Sequence, residues 1–231
     1  MKFKTAKSLA TYERVLAAAE QLFQKQGYDA TTMRDLARDS QLGLGALYYY
    51  FKSKEELVLT FYEQINQQCS QQFQAQLPGY HSLDEALRQF LKLKLALLEP
   101  RRGLLRVILK EAVDPDSPLC PLHPASRVAL DSSLGIFQEM AGRLEGLKGK
   151  EQVQRARFLW LAHMGVLNYW LHDRTAGFRA TYAVVDTLLS FLKLASLAAR
   201  IPGMKGLQNR LRSHVDDLFE GGAGEVCPEL V

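Results

Sequence analysis

The chain has 231 residues, 47% of them hydrophobic and 23% charged, with a formal net charge of +4 and three cysteines. That balance excludes disordered and collagen-like classes, and Cys69, Cys120 and Cys227, odd in number and far apart, argue against a disulfide framework. Leu occurs 39 times and Ala 24 times against 16 for Ile and Val together, so good helix formers dominate and an all-α chain of one or two domains is expected.

The elements follow from apolar spacing and from caps. Leu9, Tyr12, Val15, Leu16, Ala19, Leu22 and Phe23 recur at steps of three and four, which predicts a first amphipathic helix, stopped by Gly27. Thr31 and Thr32 open a short helix over Met33 to Asp39, with Asp35 at capping-box distance from Thr32. Ser40, Gln41, Leu42 and Gly43 turn the chain into a second short helix over Leu44 to Phe51. Ser53 with Glu56 launches a long helix whose stripe is Leu57, Phe61, Ile65, Cys69, Phe73 and Leu77, ended by Pro78 and Gly79. Ser82 and Glu85 start a helix that ends at Pro100. Within it Leu91-Lys92-Leu93-Lys94-Leu95 alternates as a strand would, but its flanks favour helix. Arg102 to Val113 forms another helix before a loop carrying Pro115, Pro118, Pro121 and Pro124. Further helices are expected over Ala125 to Leu147, Gln152 to His172, Thr181 to Arg200 and Met204 to Phe219, followed by a Gly-rich tail.

Two short helices joined by a glycine-containing turn, braced by a longer helix before them, make the helix-turn-helix plan, in which the second short helix enters the major groove of DNA. Spacing alone leaves open a three-helix cluster without that role. The residues say more. Gly27-Tyr28-Asp29-Ala30-Thr31-Thr32-Met33-Arg34-Asp35-Leu36-Ala37, followed by Gly45-Ala46-Leu47-Tyr48-Tyr49-Tyr50-Phe51-Lys52-Ser53-Lys54-Glu55-Glu56-Leu57, closely resembles the DNA-binding region of the tetracycline-repressor (TetR) family. The resemblance covers about the first quarter of the chain. It implies a one-component regulator, mostly a repressor, that binds a palindromic operator on double-stranded DNA as a homodimer and is released by a small hydrophobic or amphipathic effector. On that reading residues 1–56 form the DNA-binding domain and residues 57–231 the effector-binding and dimerisation domain.

The matching positions imply that Arg34 reaches a base edge, where a bidentate contact to guanine discriminates by roughly 1–3 kcal/mol. They set Leu44, Gly45 and Ala46 at the groove and Tyr48 and Lys54 on phosphates. Thr32 can present its hydroxyl and the adjacent N–H groups to another phosphate, and Tyr49 is placed at sugar or base. Two positions depart from the family pattern: Gly43 stands where Ser or Thr is common, and Leu44 where a polar or basic residue is. Readout is therefore expected to lean on Arg34, thymine methyls and DNA shape. Tyr50 and Phe51 are expected to pack inward.

Farther on, Phe158 to Leu171 is apolar nearly all round and Tyr182 to Ala199 has few polar interruptions, so both helices must be covered on two sides. A four-helix interface between two copies satisfies that, with Val166, Tyr169, Trp170, Tyr182, Val185, Leu189 and Leu192 as its residues; a central helix in a larger monomeric bundle is the plainer alternative. Trp160, His163, Met164 and Leu167 form one strip that Phe61, Leu104, Ile108 and Phe137 can face, and these eight are the expected effector-lining residues. His163 amid apolar residues reads most simply as a hydrogen-bonded core histidine.

Nucleophile-elbow, P-loop, dinucleotide-binding and zincin signatures are absent from the sequence, so no enzyme, cofactor or metal site is expected, and the Cys120/His123 spacing lacks further ligands. The longest strongly apolar run spans fourteen residues, short of the roughly 20 a membrane-crossing helix needs, and the N-terminal lysines lead into no secretory signal. A soluble cytoplasmic protein is expected. Lys and Arg exceed Asp and Glu only nine to seven in the first 60 residues, so charge alone does not separate DNA binding from the rival reading, a helical ligand-carrying or adaptor bundle.

Overall fold

The computed structural model describes residues 5–198 and 205–221; the Gly-rich tail, Cys227 and the last residues of the helix expected to reach Arg200 lie outside them. Among the described residues ten α-helices follow one another: α1 (Ala6–Gln26), α2 (Met33–Asp39), α3 (Leu44–Tyr50), α4 (Lys54–Gln76), α5 (Leu83–Leu98), α6 (Arg102–Ala112), α7 (Arg127–Glu145), α8 (Gly149–His172), α9 (Arg179–Ala198) and α10 (Lys205–Gly221). No strand occurs among the described residues. The expected caps form, and Thr5 adds one by accepting from Ser8 N at the start of α1. Thr32 and Asp35 close a reciprocal capping box on α2, and the hydroxyls of Ser53 and Ser82 accept from the Glu56 and Glu85 N–H groups to start α4 and α5. Gly27, at φ +88°, ends α1 in backbone space that a Cβ makes costly.

Each helix buries one stripe. Val15, Leu16, Ala19, Leu22 and Phe23 of α1 pack with Leu36, Ala37, Leu47 and Phe51 into a small N-terminal core. That core also takes Leu57, Val58 and Phe61 from α4, Leu104 from α6 and Leu119 from the proline loop. Helix α4 therefore belongs to both halves of the molecule, and a division near residue 56 falls inside shared packing. A larger core joins α4, α5, α7, α8, α9 and α10 around Phe73, Phe90, Phe137 and Trp160. Between the two cores lies a third group, Ile65, Leu95, Leu98, Leu167, Trp170 and Leu171.

Polar contacts fix the crossings. Arg102 donates to the carbonyls of Trp170 and Asp173, and Arg106 to that of Leu171 at 2.8 Å, so two cations from α6 satisfy the open carbonyl end of α8. Beyond that end, Asp173 accepts from the N–H and hydroxyl groups of both Thr175 and Thr181 at 2.7–2.9 Å and starts the turn into α9. Burial opposes the charge there, but these hydrogen bonds outweigh it and hold the carboxyl well below the usual carboxylate range. Arg101 pairs with Glu20 at 2.7 Å and ties the entrance of α6 to α1. Arg157 pairs with Asp216 at 2.6 Å and ties α10 to α8. Among the described residues no helix is long and apolar enough to cross a membrane.

Candidate nucleic-acid interface and internal cavity

Helix α3 starts at Gly43, which has no side chain to cap it, and its first main-chain hydrogen bond runs from Leu47 N to Gly43 O at 3.0 Å. The N–H groups of Leu44, Gly45 and Ala46 thus lack intrahelical acceptors. One side of the helix anchors it: Leu47 is buried, and Leu44 and Tyr50 are half-buried against the N-terminal core. Phe51, directly after it, stacks on Tyr12 at 4.8 Å. The other side, Gly45, Ala46, Tyr48 and Tyr49, is exposed, with Tyr48 at 46% and Tyr49 at 75%. A Cβ at Gly45 would meet no atom of the chain within 4 Å, so packing does not call for glycine there, although a helical glycine costs about 0.5–1 kcal/mol against alanine.

The flanking polar residues differ in freedom. Arg34 is exposed on α2. The Thr32 hydroxyl is occupied twice, accepting from Asp35 N at 3.2 Å and donating to Asp35 Oδ2 at 2.6 Å. Asp35 is in turn held by Arg38 at 2.7 Å, and hydrogen bonds from Thr32 with the Arg38 charge keep its carboxyl ionised below the usual range. A phosphate at this helix end meets a carboxylate as well as N–H groups. Lys54 is half-buried; its ammonium donates to the Tyr28 carbonyl at 2.8 Å and lies 4.3 Å from the Tyr28 ring centroid. Lys52, two residues earlier and outside any helix, is exposed. It sits next to the buried Phe51 and just before the Ser53 cap, a position whose outward direction the local pattern does reveal.

Beneath this unit, residues of α4, α6, α7 and α8 line an apolar cavity of about 110 Å³. Phe61, Leu104, Ile108, Trp160, Met164 and Leu167 meet on its wall, joined by Tyr62, Ile65 and Arg101 and by Leu119 and Pro121 of the proline loop. Phe137 and His163 do not reach it. Both lie in the large core, with ring centroids 5.5 Å apart and Phe90 against each, because their positions on α7 and α8 turn toward α5. His163 also departs from the expected hydrogen-bonded histidine. Neither ring nitrogen makes a hydrogen bond, and burial, with the nearby Lys94 charge, pushes its pKa down to about 3.

The family described as bacterial regulatory proteins, tetR family, matches residues 15–60, and the tetracyclin repressor-like C-terminal domain matches residues 86–197. The chain belongs to the TetR family. Among curated TetR relatives, it is 45% identical to the HTH-type transcriptional regulator QacR of Staphylococcus aureus over 47 residues, which are 20% of this chain and 25% of that one. The matched segment thus spans about a quarter of the length of such relatives. Among solved structures, FadR of Thermus thermophilus in complex with lauroyl-CoA superposes with a TM-score of 0.64 at 20% identity, over 78% of this chain and 92% of that one. FadR of Bacillus subtilis in complex with stearoyl-CoA gives 0.58 at 16%, over 78% and 98%. These likenesses show a shared TetR fold.

In this TetR-family chain the residues expected at a subunit interface divide by helix face. Val166, Trp170, Val185 and Leu189 are already buried within the single chain, where their stripe packs α8 and α9 onto the core. Tyr169 is exposed, and Tyr182 and Leu192 are half-buried. Among the described residues of α8 and α9, an uncovered face includes Gly165 and Tyr169 with Ala183, Thr187, Phe191 and Leu194, Phe191 being 65% exposed. The sequence signal for this shift is the phase of the helix. Polar Thr187 shares the open stripe, while Val185 and Leu189 lie on the opposite one.

Proposed function

We propose that the chain is a cytoplasmic transcriptional repressor that binds duplex DNA as a twofold dimer and leaves its operator when a small hydrophobic or amphipathic molecule enters the cavity. The observation that carries the DNA-binding part is the outer side of α3, where Gly45, Ala46, Tyr48 and Tyr49 face away from a core that the rest of the helix completes. Bare backbone at Gly45 suits close approach to base edges, and the two tyrosines and Lys52 suit sugar and phosphate. Arg34 is the side chain with the reach and donors for guanine. Lys54 keeps two ammonium donors beyond the one given to Tyr28, and it contributes to a phosphate site from that fixed position.

The face around Gly165, Tyr169, Phe191 and Leu194 serves the second copy, because a symmetric dimer covers both of its halves at once. Two α3 helices about 34–36 Å apart then read one side of a duplex. The cavity bears on that spacing through two elements. Helix α4 carries Phe61 in both the cavity wall and the N-terminal core, and Arg101 lines the cavity while pairing with Glu20 of α1. A molecule that fits the cavity in only one arrangement of these helices shifts the population toward it. The FadR structures, solved in complex with lauroyl-CoA and stearoyl-CoA, support a small-molecule ligand for a chain of this fold.

The test is selection of a duplex from a randomised pool by the full chain, followed by anisotropy titration. A palindromic site is expected, bound with an affinity that falls steeply with salt. Arg34→Ala is expected to weaken it by roughly 1–3 kcal/mol and to relax one base position in each half-site. Failure to enrich any sequence, with no duplex retained at low salt, overturns the reading.

A further inference from the structure

Behind the cavity, where α4, α5 and α8 meet, the molecule buries a cation without an anion. Lys94 is 1% exposed. Its ammonium donates to Asn66 Oδ1 and lies 5.1 Å from the centroid of the Tyr62 ring, two neutral partners for a group with three donors. The surrounding titratable groups are neutral as well. Burial pushes the Cys69 thiol up to about 11 and the Tyr62 phenol up to about 12, and it pushes His163 down to about 3. The His163 nitrogens and the Trp160 indole N–H have no hydrogen-bond partner. A buried charge held by neutral groups alone is costly, and proteins normally pair it.

The cavity adjoins this cluster through two residues. Tyr62 lines the cavity with one side of its position and covers the ammonium with its ring. Ala129 lines it too, and its carbonyl accepts from Asn66 Nδ2 at 3.3 Å. Tyr62 is thus shared by the cavity wall and the cover of the ammonium. The space is small: about 110 Å³, below the roughly 150 Å³ that takes a benzene molecule in a protein interior.

We propose that the effector is a compact hydrophobic monocarboxylate, whose carboxylate replaces the Tyr62 ring on the Lys94 ammonium while its apolar body lies among Ile65, Trp160, Met164 and Leu167. This deepens the proposed ligand response and rests on it. The exchange is specific for a free acid, because an alcohol brings no charge and a thioester has lost it. It also moves Tyr62, one position after Phe61, which packs in the N-terminal core, so the ion pair acts on the helix that carries the DNA-binding unit.

The experiment uses the full chain and three matched series, the straight-chain carboxylates from butanoate to decanoate, the corresponding 1-alkanols and the corresponding acyl-CoA thioesters, in calorimetric titration and thermal unfolding. The carboxylates are expected to bind at least tenfold more tightly than alkanols of equal length, with the optimum among the shorter members. In Lys94→Met that preference is expected to vanish while alkanol binding persists, which shows that the cavity still forms. Equal affinity of acid and alcohol for the unaltered chain overturns the proposal without any variant. So does tighter binding of the thioesters, or a preference for acids that survives Lys94→Met. Absence of binding by all three series overturns the ligand reading along with the headgroup assignment, whereas loss of the acid preference alone leaves that reading standing.

Discussion

Gly45 and Lys94 are both residues that the fold itself does not favour, and each yields an opposed pair of effects. Gly45→Ala adds a Cβ that meets nothing in the chain, so it is expected to raise stability by about 0.5–1 kcal/mol in urea unfolding while weakening operator binding. Stability and affinity moving together would sink the interface role. For Lys94, burial lowers the pKa from 10.5 to about 8. The unfolded chain then holds more protons between those values, and stability rises with pH across that window. Below it the buried charge is a full burden. Lys94→Met is therefore expected to stabilise the chain by roughly 1–4 kcal/mol at pH 7, a gain that shrinks as pH climbs from 8 to 10.5. His163 has the same sign in another window. Its pKa of about 3 lies below the free value of 6.5, so stability falls as pH drops from 6.5 toward 3, and His163→Leu is expected to flatten that acid limb in thermal unfolding.

At the scale of elements, the capped short helices and α4 could be read from the residues because their signals are local: a hydroxyl, an acid three positions on, a glycine at positive φ. The tertiary roles could not. Lys94 belongs to the inner stripe Leu87, Leu91, Lys94 and Leu98, spaced four, three and four apart, but the strand-like alternation around it hides that stripe, and its partner Asn66 is brought to it only by packing. Phe137 and His163 carried a pocket-like composition but face Phe90, a choice made by the crossing of α5 with α7 and α8. The link between α6 and α1 rests on Arg101 and Glu20, 81 positions apart, which no local pattern connects. Because both partners are partly exposed, a double-mutant cycle on Arg101→Ala and Glu20→Ala is expected to give a coupling of only about 0.5–1 kcal/mol in stability. Its larger effect is on geometry. Arg101→Ala is expected to broaden the range of half-site spacings tolerated in duplex selection, and an unchanged spacing profile would count against α6 as a positioning element.

At the scale of the whole molecule, apolar composition announced that α8 and α9 would be covered on two sides, but not which residues would face outward. The open stripe predicts that Phe191→Asp, which leaves the chain's own core untouched, yields a folded monomer by light scattering and abolishes high-affinity operator binding. Val185→Asp, in contrast, is expected to prevent folding, since Val185 is 2% exposed within one chain. The cavity has a last practical property. The chain contains two tryptophans, and Trp160 and Trp170 both stand on the cavity wall with their indole N–H groups unbonded. All of the indole emission from this protein thus originates at one place, so filling is expected to shift the colour or intensity of that emission in an unlabelled sample.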